Sequence, residues 1–253
     1  MKRFKHSGTY GDLIYSLPLV KYFGGGEFYL HLNQIDWVAK HYYRTQPPAI
    51  HQGRMTQEDF QRLEPLIGSQ SYITKFDVLD SKTTEITHNL DRFRELFVGH
   101  PGNYVDTYAD AFGISDSQIK ENLRNTPWIE VEAKAIPGKQ YVINRTQRWC
   151  PKVLGPAWAE WREQGVPESS IFVGTEQEHR EFEQITGWNI DYHPTKDLLE
   201  LAQVIKGSEQ FIGNQSVALS IAIGLGHPFA CEARDDLPLE RNECYFPDQG
   251  DYF

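Results

Sequence analysis

The sequence lacks any run of apolar residues that approaches the ~20 needed to cross a bilayer. Its first residues, MKRFKHSGTYGD, also lack the apolar core of a secretory signal peptide. These two absences argue against a membrane-spanning or secreted protein, so the expected location is the cytoplasm. Apolar residues make up 40% of the 253 residues and charged residues 24%, which suits one large or two small globular domains.

Cysteine is scarce, and its spacing excludes several classes of protein. Cys150, Cys231 and Cys244 form no CxxC pair, which argues against a zinc ribbon, a redox pair and a disulfide framework. We therefore expect three reduced thiols. The sequence has neither D-x-D nor H-E-x-x-H, and its nine histidines show no ligand spacing. Neither a metal nor another cofactor is expected.

Positive charge is also in short supply. Lys and Arg number 25 against 35 Asp and Glu, which gives a net charge of -10. Such a balance repels nucleic acid unless the basic residues cluster, so a nucleic-acid partner is disfavoured but stays open. Aromatic residues, at 13%, could stack on sugars or bases, although such residues more often fill a core.

Predicted strands and helices alternate on both sides of residues 126–139. This segment, TPWIEVEAKAIPGK, contains two prolines and a glycine and is the best candidate linker. Beyond it, five predicted strands separated by helices imply βαβ units and a parallel sheet. We therefore expect an α/β protein with two Rossmann-like domains, residues 1–130 and 131–253.

Two predictions concern the first half in detail. ITHNLDRFRELF is predicted to be helical, and Pro18 is expected to bend or interrupt the helix DLIYSLPLVKYF. Ligands of parallel α/β sheets bind at the carboxyl ends of strands, so the turns that follow strands are where chemistry is expected.

The turn HSGTYGD, residues 6–12, leads from a short strand into that helix. Asp12 could cap the helix, because a carboxylate in a first turn satisfies free N–H groups and complements the dipole. It could equally be the working carboxylate of an active site. The spacing matches neither GxGxxG nor GxxxxGK[ST], which argues against an NAD site and a P-loop.

A second turn, GNQS at 213–216, runs from a strand directly into a helix rich in small apolar residues. The free N–H groups and positive dipole of a helix start suit a phosphate, and Ser216 could add a hydroxyl. Asn214 or Ser216 could instead only cap the helix, and this segment alone favours capping.

A third turn contains most of the local positive charge. Arg145, Arg148 and Lys152 follow a predicted strand in a chain otherwise short of cations. Their side chains suit phosphate oxygens, although they could also pair with nearby carboxylates. Because this turn and the GNQS turn should lie on the same rim of one sheet, phosphate binding is favoured.

Several segments resemble glycosyltransferase family 9, the ADP-heptose:lipopolysaccharide heptosyltransferases. GDLIYSLPLVK resembles their N-terminal signature, and VDTYADAFGI is similar to the segment before their interdomain linker. NRTQRWCPK followed by a tryptophan resembles their T-x-R-x-x-K-x-W-like loop. The region from FVGTEQEHREFEQI to IAIGLGHP is similar, element by element, to their second domain. The likeness covers the first ~25 residues and most of the second half.

The resemblance implies the GT-B fold, in which two Rossmann-like domains face each other across a cleft. It implies an inverting, metal-independent transferase whose hydroxyl acceptor, a sugar or another compound, binds mainly to residues 1–130. A nucleotide sugar would bind mainly to residues 131–253. Asp12 matches the family's base. The acceptor-side turn comprises Ser7, Gly8, Thr9 and Gly11. The donor and phosphate site comprises Arg145, Arg148, Lys152, Glu178, Asn214, Gln215 and Ser216.

The sequence departs from the family at the donor turn. The family reads approximately D-[ST]-G-x-x-H there, whereas this chain has Gln215, Ser216, Val217 and Ser220. The acid, the glycine and the histidine are all replaced, and Val217 has a β-branched side chain where glycine would let the backbone approach a phosphate. Two alternatives therefore stay open: an inert binding protein that has kept the fold, and a glycosyltransferase that acts on nucleic acid.

Overall fold

The computed structural model describes residues 1–34, 55–97, 102–235, 238–242 and 244–253. The chain divides into two compact units. The first unit consists of Met1–His100 and Tyr104–Arg124, and the second of Pro101–Asn103 and Asn125–Phe253. The sequence-based division after residue 130 lies six residues beyond the observed one at Arg124.

The first unit contains a parallel sheet with the strand order β3-β2-β1-β4. Its elements, in chain order, are β1 (Arg3–His6), α1 (Tyr10–Tyr22), β2 (Gly26–Leu30), α2 (Gln57–Gly68), β3 (Ile73–Val78), β4 (His88–Asn89), α3 (Arg94–Phe97), α4 (Tyr104–Ala111) and α5 (Ser117–Asn125). A single 3-10 turn, Leu90–Phe93, joins β4 to α3.

Helix α1 is the central helix of this unit. It buries eight consecutive residues, from Leu13 to Val20, so apolar contacts surround it on all sides. Thr9 in extended conformation precedes its first turn. The helix continues through Pro18 to Tyr22 and is therefore not interrupted at the proline. Extensive burial of this kind outweighs the lost backbone donor of a single proline.

Phe23, Gly24 and Gly25 lie between α1 and β2, and Gly25 has no space for a side chain. Gly25 has φ +73°, and its N–H donates to the Val20 carbonyl over 3.0 Å. A Cβ atom on Gly25 would lie 2.1 Å from the Tyr72 carbonyl oxygen. Glycine is therefore required both by the backbone conformation and by the close approach of the segment before β3.

The predicted helix over ITHNLDRFRELF is wrong at its start. The chain forms β4 and the 3-10 turn Leu90–Phe93 before α3 begins. The Thr87 N–H donates to the Arg3 carbonyl over 3.0 Å, and the Asn89 side chain accepts from the Asp91 N–H over 3.2 Å. Pairing with the open edge of β1 therefore prevails over local helix formation.

The second unit contains a six-stranded parallel sheet with the order β10-β9-β8-β5-β6-β7. Its elements are β5 (Tyr141–Asn144), α6 (Ala157–Glu163), β6 (Ser170–Phe172), α7 (Glu176–Thr186), β7 (Asp191–Tyr192), α8 (Leu198–Lys206), β8 (Gln210–Asn214), α9 (Val217–Gly224), β9 (Phe229–Glu232) and β10 (Gly250–Tyr252). The predicted α/β class is confirmed, and β10 is an edge strand that the sequence did not suggest.

Trp158 is the centre of the core on one face of this sheet. It is fully buried, and its ring meets Phe182, Trp188 and Phe253 edge to face at centroid separations of 5.3 to 5.5 Å. Its backbone carbonyl accepts from the Trp188 indole N–H over 3.0 Å. Edge-to-face aromatic packing of this kind fixes α6 against the strands.

The candidate linker packs closely against the second unit. Trp128 and Ile129 are buried, and their N–H groups donate to the Gly224 carbonyl at the end of α9 over 2.8 and 2.9 Å. Further along, the Lys134 N–H donates to Gln203 in α8 over 2.9 Å. Only part of the predicted linker could therefore act as a free connection.

A pair of glycine variants tests the packing at the end of α1. Gly25→Ala should destabilise the protein by more than ~2 kcal/mol, because it adds both an unfavourable φ and a backbone clash. Gly24 has φ +84° but open space, its nearest atom being Lys2 Nζ at 3.8 Å. Gly24→Ala should therefore cost only ~1 kcal/mol. Urea unfolding of both variants measures the difference, and equal losses would contradict the clash.

Candidate functional site

The turn after β1 places Asp12 against a buried arginine. The Arg94 side chain, at the start of α3, is 2% exposed, and its Nη2 donates to Asp12 Oδ2 over 2.9 Å. The Thr9 N–H donates to the same oxygen over 3.2 Å. Asp12 is therefore a partner of the helix N-cap and also one half of a largely buried ion pair.

Gly8 is the residue that allows this pair to form. A Cβ atom on Gly8 would lie 2.0 Å from Arg94 Nη2 and 2.6 Å from Asp12 Oδ2. The ion pair thus lies directly against the Gly8 backbone, and packing within the protein already explains the glycine. Gly11 differs, because a Cβ atom there would meet nothing within 4 Å.

A buried histidine also stabilises the turn that contains Gly8 and Asp12. His6 is fully buried; its Nδ1 accepts the Gly8 N–H over 2.8 Å, and its Nε2 lies 2.6 Å from the Tyr108 hydroxyl. Because the amide can only donate, the proton of the neutral imidazole lies on Nε2 and points at Tyr108. Tyr108 in turn donates to the Asp12 carbonyl over 2.9 Å. Burial lowers the pKa of His6 to about 3, which keeps the ring neutral.

A second ion pair lies beside the first. Lys5 Nζ is 3.1 Å from Asp91 Oδ2, and the Ser7 N–H donates to Asp91 Oδ1 over 2.9 Å. Burial acts to raise the pKa of Asp91, but neighbouring positive charge, including Arg94 and Lys5, and the Ser7 bond lower it overall. This carboxylate is therefore held in its charged form.

In the second unit, the strands β5, β8 and β9 end side by side. Asn144 pairs with Gly213, and Asn214 pairs with Glu232. The loop after β5, the turn between β8 and α9, and the loop after β9 consequently emerge at one edge of the sheet, as the sequence suggested for the first two. We call this edge the rim.

Arg145 points into the protein rather than along the rim. Its Nε and Nη2 donate to Glu232 over 2.6 and 3.3 Å, and the side chains are only 5% and 0% exposed. The Trp158 indole N–H donates to the same carboxylate over 2.9 Å. The Arg145 guanidinium is therefore engaged by a carboxylate, the alternative to phosphate binding that the sequence left open.

Asn214 and Glu178 also have structural partners. The Asn214 amide accepts the Thr146 N–H over 2.9 Å and donates to the Thr146 carbonyl over 2.7 Å, which ties the loop after β5 to the end of β8. Glu178 Oε2 accepts from the N–H and hydroxyl of Thr175 over 2.8 and 2.9 Å, forming the capping box of α7. These contacts account for both residues without a ligand.

Four predicted donor residues lie where a ligand could meet them. Arg148 and Lys152 are exposed. Ser216 caps α9 by accepting the Leu219 N–H over 3.3 Å, a bond that uses an oxygen lone pair and leaves its hydroxyl proton for another acceptor. Gln215 Oε1 is buried and has no hydrogen-bond donor within the part of the chain that the structure describes.

Sequence reasoning missed several residues of these two clusters. Arg94, Asp91 and Tyr108 reach the Asp12 turn from segments more than 75 residues away, and no local pattern marks them. Arg234 reaches the rim from the loop after β9 and lies over the Trp149 ring, 4.4 Å from its centroid. In the sequence, the only indication of this contact was Trp149, which directly follows Arg148.

Neither a metal-ligating cluster nor a membrane-spanning helix occurs among the residues that the structure describes. Within the described ranges, no group of three or more His, Cys, Asp and Glu side chains is placed to hold a metal ion. None of the helices in those ranges has the length and apolar character that a membrane span requires. All three cysteines are free thiols, as the sequence predicts.

The two parallel sheets and their helices define an α/β fold of the GT-B glycosyltransferase type. The fold is that of a glycosyl transferase family 9 protein from Veillonella parvula, with a TM-score of 0.62 and 10% identity over 100% of this chain and 86% of that one. The iron-containing dodecameric heptosyltransferase TibC, in complex with ADP-D-β-D-heptose, aligns with a TM-score of 0.56 and 14% identity over 98% of this chain. A second TibC structure, from enterotoxigenic E. coli, gives 0.53 and 15% over 90%.

This chain spans only 61% and 56% of the two TibC chains. No protein-family profile matches the sequence, and no curated protein matches it significantly. At identities of 10 to 15%, the structural likeness shows the fold alone.

Arg145 and Arg148 should differ sharply when each is changed to Met. Arg145→Met leaves the Glu232 carboxylate buried without its cation and should cost ~3–5 kcal/mol of stability. Arg148→Met, at an exposed position, should stay within about 0.5 kcal/mol of the parent protein. Urea unfolding at pH 7 measures both, and similar losses would show that Arg145 is not committed to Glu232.

His6 should make stability depend on pH. Its pKa is about 3 in the folded protein and near the usual 6.5 when unfolded. The unfolded chain therefore binds a proton that the folded chain does not between those values, so stability falls as the pH drops from ~6.5 towards 3. His227, whose pKa burial lowers to about 4, adds a slope of the same sign.

The variant His6→Asn keeps an acceptor for the Gly8 N–H and removes the titrating ring. Urea unfolding between pH 7 and pH 4.5 should then show a shallower loss of stability than in the parent protein, with the His227 contribution remaining. An unchanged slope would mean that His6 does not titrate in this way.

Proposed function

We propose that the protein is an inverting, metal-independent glycosyltransferase that moves a sugar from a nucleotide diphosphate sugar to a hydroxyl acceptor. The observation that carries the proposal is the rim, where the loop after β5 and the start of α9 emerge at the same edge of the sheet. Arg148 and Lys152 are exposed on that loop, in a chain with a net charge of -10. The similarity of the chain's fold to the folds of glycosyltransferases also supports this proposal.

The rim matches the chemistry of a diphosphate leaving group. Negative charge grows on the diphosphate as its bond to the anomeric carbon breaks, and fixed positive groups stabilise that charge. Arg148 and Lys152 supply cations, and the N–H groups at the start of α9 supply the positive end of a helix dipole. The Ser216 hydroxyl can donate to a phosphate oxygen while it continues to cap the helix.

Asp12 is the proposed base. It would take the proton of the acceptor hydroxyl as that oxygen attacks the anomeric carbon from the side opposite the diphosphate, which inverts the configuration. The bonds from Arg94 and Thr9 to Oδ2 fix the orientation of the carboxylate. His6 and Tyr108 fix the backbone on either side of it, through Gly8 and the Asp12 carbonyl.

Arginine and lysine, rather than a metal, would neutralise the charge of the diphosphate. Activity should therefore survive treatment with EDTA. We also propose that the protein uses its nucleotide sugar in the cytoplasm, a location that the sequence suggests. Residues 1–130 would supply the acceptor side and residues 131–253 the donor side.

An inert binding protein is the second candidate, and the Asp12 turn favours it. The carboxylate already accepts bonds from Arg94 and Thr9, as a purely structural residue would. Val217 adds a β-branched side chain at the donor turn. On this alternative the rim would still bind a nucleotide, but no sugar would be transferred.

The first experiment is a binding and transfer assay. The protein is mixed with ADP-, UDP- and GDP-sugars; binding is read from the rise in melting temperature, and transfer from the nucleoside diphosphate released with a panel of hydroxyl acceptors. Binding with release supports a transferase, binding without release the inert protein. Failure to bind any nucleotide sugar would refute both.

Asp12→Asn then tests the base. The amide cannot accept the proton, so turnover should fall by roughly 10²–10⁴. It also removes the negative charge that the buried Arg94 guanidinium contacts at Asp12, so we expect some loss of stability. Asp197→Asn is the matched control, because Asp197 caps α8 through the Glu200 N–H over 2.8 Å and is not part of the proposed site. Both are assayed below their melting temperatures. Full turnover in Asp12→Asn would remove it as the base.

A further inference from the structure

Two of the three cysteines lie together inside the second unit. Cys231 belongs to β9 and is fully buried, and Cys244, which follows the loop after β9, is 3% exposed. Hydrogen bonding to the Cys244 thiol, together with burial, raises the pKa of Cys231. The two sulfur atoms are therefore neighbours, although both residues are free thiols.

The packing of Tyr252 in β10 explains why the two cysteines meet. Tyr252 pairs with Cys231 in β9, so both side chains point to the same face of the sheet. The Tyr252 ring also packs edge to face on Phe229, two residues before Cys231, with ring centroids 5.8 Å apart. The Tyr252 hydroxyl donates to the Cys244 carbonyl over 2.9 Å and accepts the Phe246 N–H over 2.6 Å. Tyr252 thus holds the Cys244 backbone over the face to which Cys231 points.

This face of the sheet is opposite the aromatic core around Trp158. Side chains alternate along a strand, so the neighbours of Cys231 in β9 point the other way. Ala230 packs in the Trp158 cluster, and Glu232 accepts the Trp158 indole N–H. A covalent bond between the two cysteines would therefore leave the aromatic core and the Arg145–Glu232 pair in place.

We propose that Cys231 and Cys244 form a reversible disulfide when the protein meets a low-molecular-weight disulfide such as oxidised glutathione. The thiolate of one cysteine attacks a sulfur of the oxidant, which releases one glutathione and leaves a mixed disulfide. The thiolate of the other cysteine then attacks the protein sulfur of that mixed disulfide and releases the second glutathione. The protein loses two electrons and two protons, and the two glutathione thiols gain them. In a reducing compartment the pair stays as two thiols.

Because both thiols are buried, the reaction depends on local opening. Strand β10 has three residues and lies at the end of the strand order, and such short edge elements open more easily than central strands. Opening would expose Cys244 to the oxidant, and reclosure would return its mixed disulfide to Cys231. The resulting bond closes a ring over residues 231–244, which contains the loop after β9.

A disulfide that fits the folded protein stabilises it, and folding favours the disulfide to the same extent. The variant Cys150→Ser leaves only the two buried thiols, and its equilibrium with reduced and oxidised glutathione is measured by thiol titration and intact mass. Both thiols should be lost without any added glutathione mass, and dithiothreitol should restore them. The equilibrium constant for the disulfide should be roughly 10- to 100-fold larger in the folded protein than in concentrated urea.

Slow access is separated from unfavourable geometry by forming the disulfide in urea and then refolding the protein. The refolded, oxidised Cys150→Ser protein should melt at a higher temperature than its reduced form. Cys231→Ser and Cys244→Ser, each combined with Cys150→Ser, are the controls, because with one thiol they cannot close the ring and should show no such rise.

Three results would overturn the inference. One is an equilibrium constant that is smaller in the folded protein than in urea. Another is a mixed disulfide with glutathione that persists on either cysteine, and the third is a lower melting temperature after oxidation and refolding. No nucleotide takes part in these measurements, so their outcome is independent of the proposed function.

Discussion

The buried carboxylate of Glu232 is the constraint on which the second unit depends. A fully buried carboxylate is tolerated only when donors surround it, and here these are the Arg145 guanidinium and the Trp158 indole N–H. Trp158 is also the centre of the aromatic core, so one carboxylate joins that core to the rim. Residues that the proposed chemistry uses are therefore anchored by residues that it does not use.

The first unit also contains a buried arginine paired with a carboxylate, but different elements supply the two residues. Its buried arginine, Arg94, comes from a helix start after β4, and its carboxylate, Asp12, from the first turn of α1. In both units an arginine–carboxylate pair lies near the carboxyl ends of parallel strands. In the first unit, however, the carboxylate is the proposed reactive group, and Gly8 and His6 fix the backbone next to it. The same interaction thus stabilises the architecture of one unit and, on the proposed mechanism, would orient the base in the other.

Local signals predicted most of the elements but not the long-range contacts. The ends of α7, Glu176 and Thr186, have local signals in the sequence, because the capping box at Thr175 and the glycine at 187 mark them. Strands β4 and β10 are two and three residues long, which is too short for an alternating apolar pattern to be recognised in the sequence. They form only because they pair with the edge of a sheet. Arg145 looked like a phosphate ligand because its partner, Glu232, lies 87 residues further along the chain.

The strand order of the second unit has a kinetic consequence. β8 is the fourth of its strands in sequence but lies in the middle of the sheet, between β5 and β9. β5 and β6 can pair early, whereas the other edge of β5 must wait for a strand that starts 69 residues after it. Contacts of such sequence separation form slowly. The turn at Gln215 and Ser216 follows β8 directly, so we expect the rim to take shape late in folding, when β8 inserts.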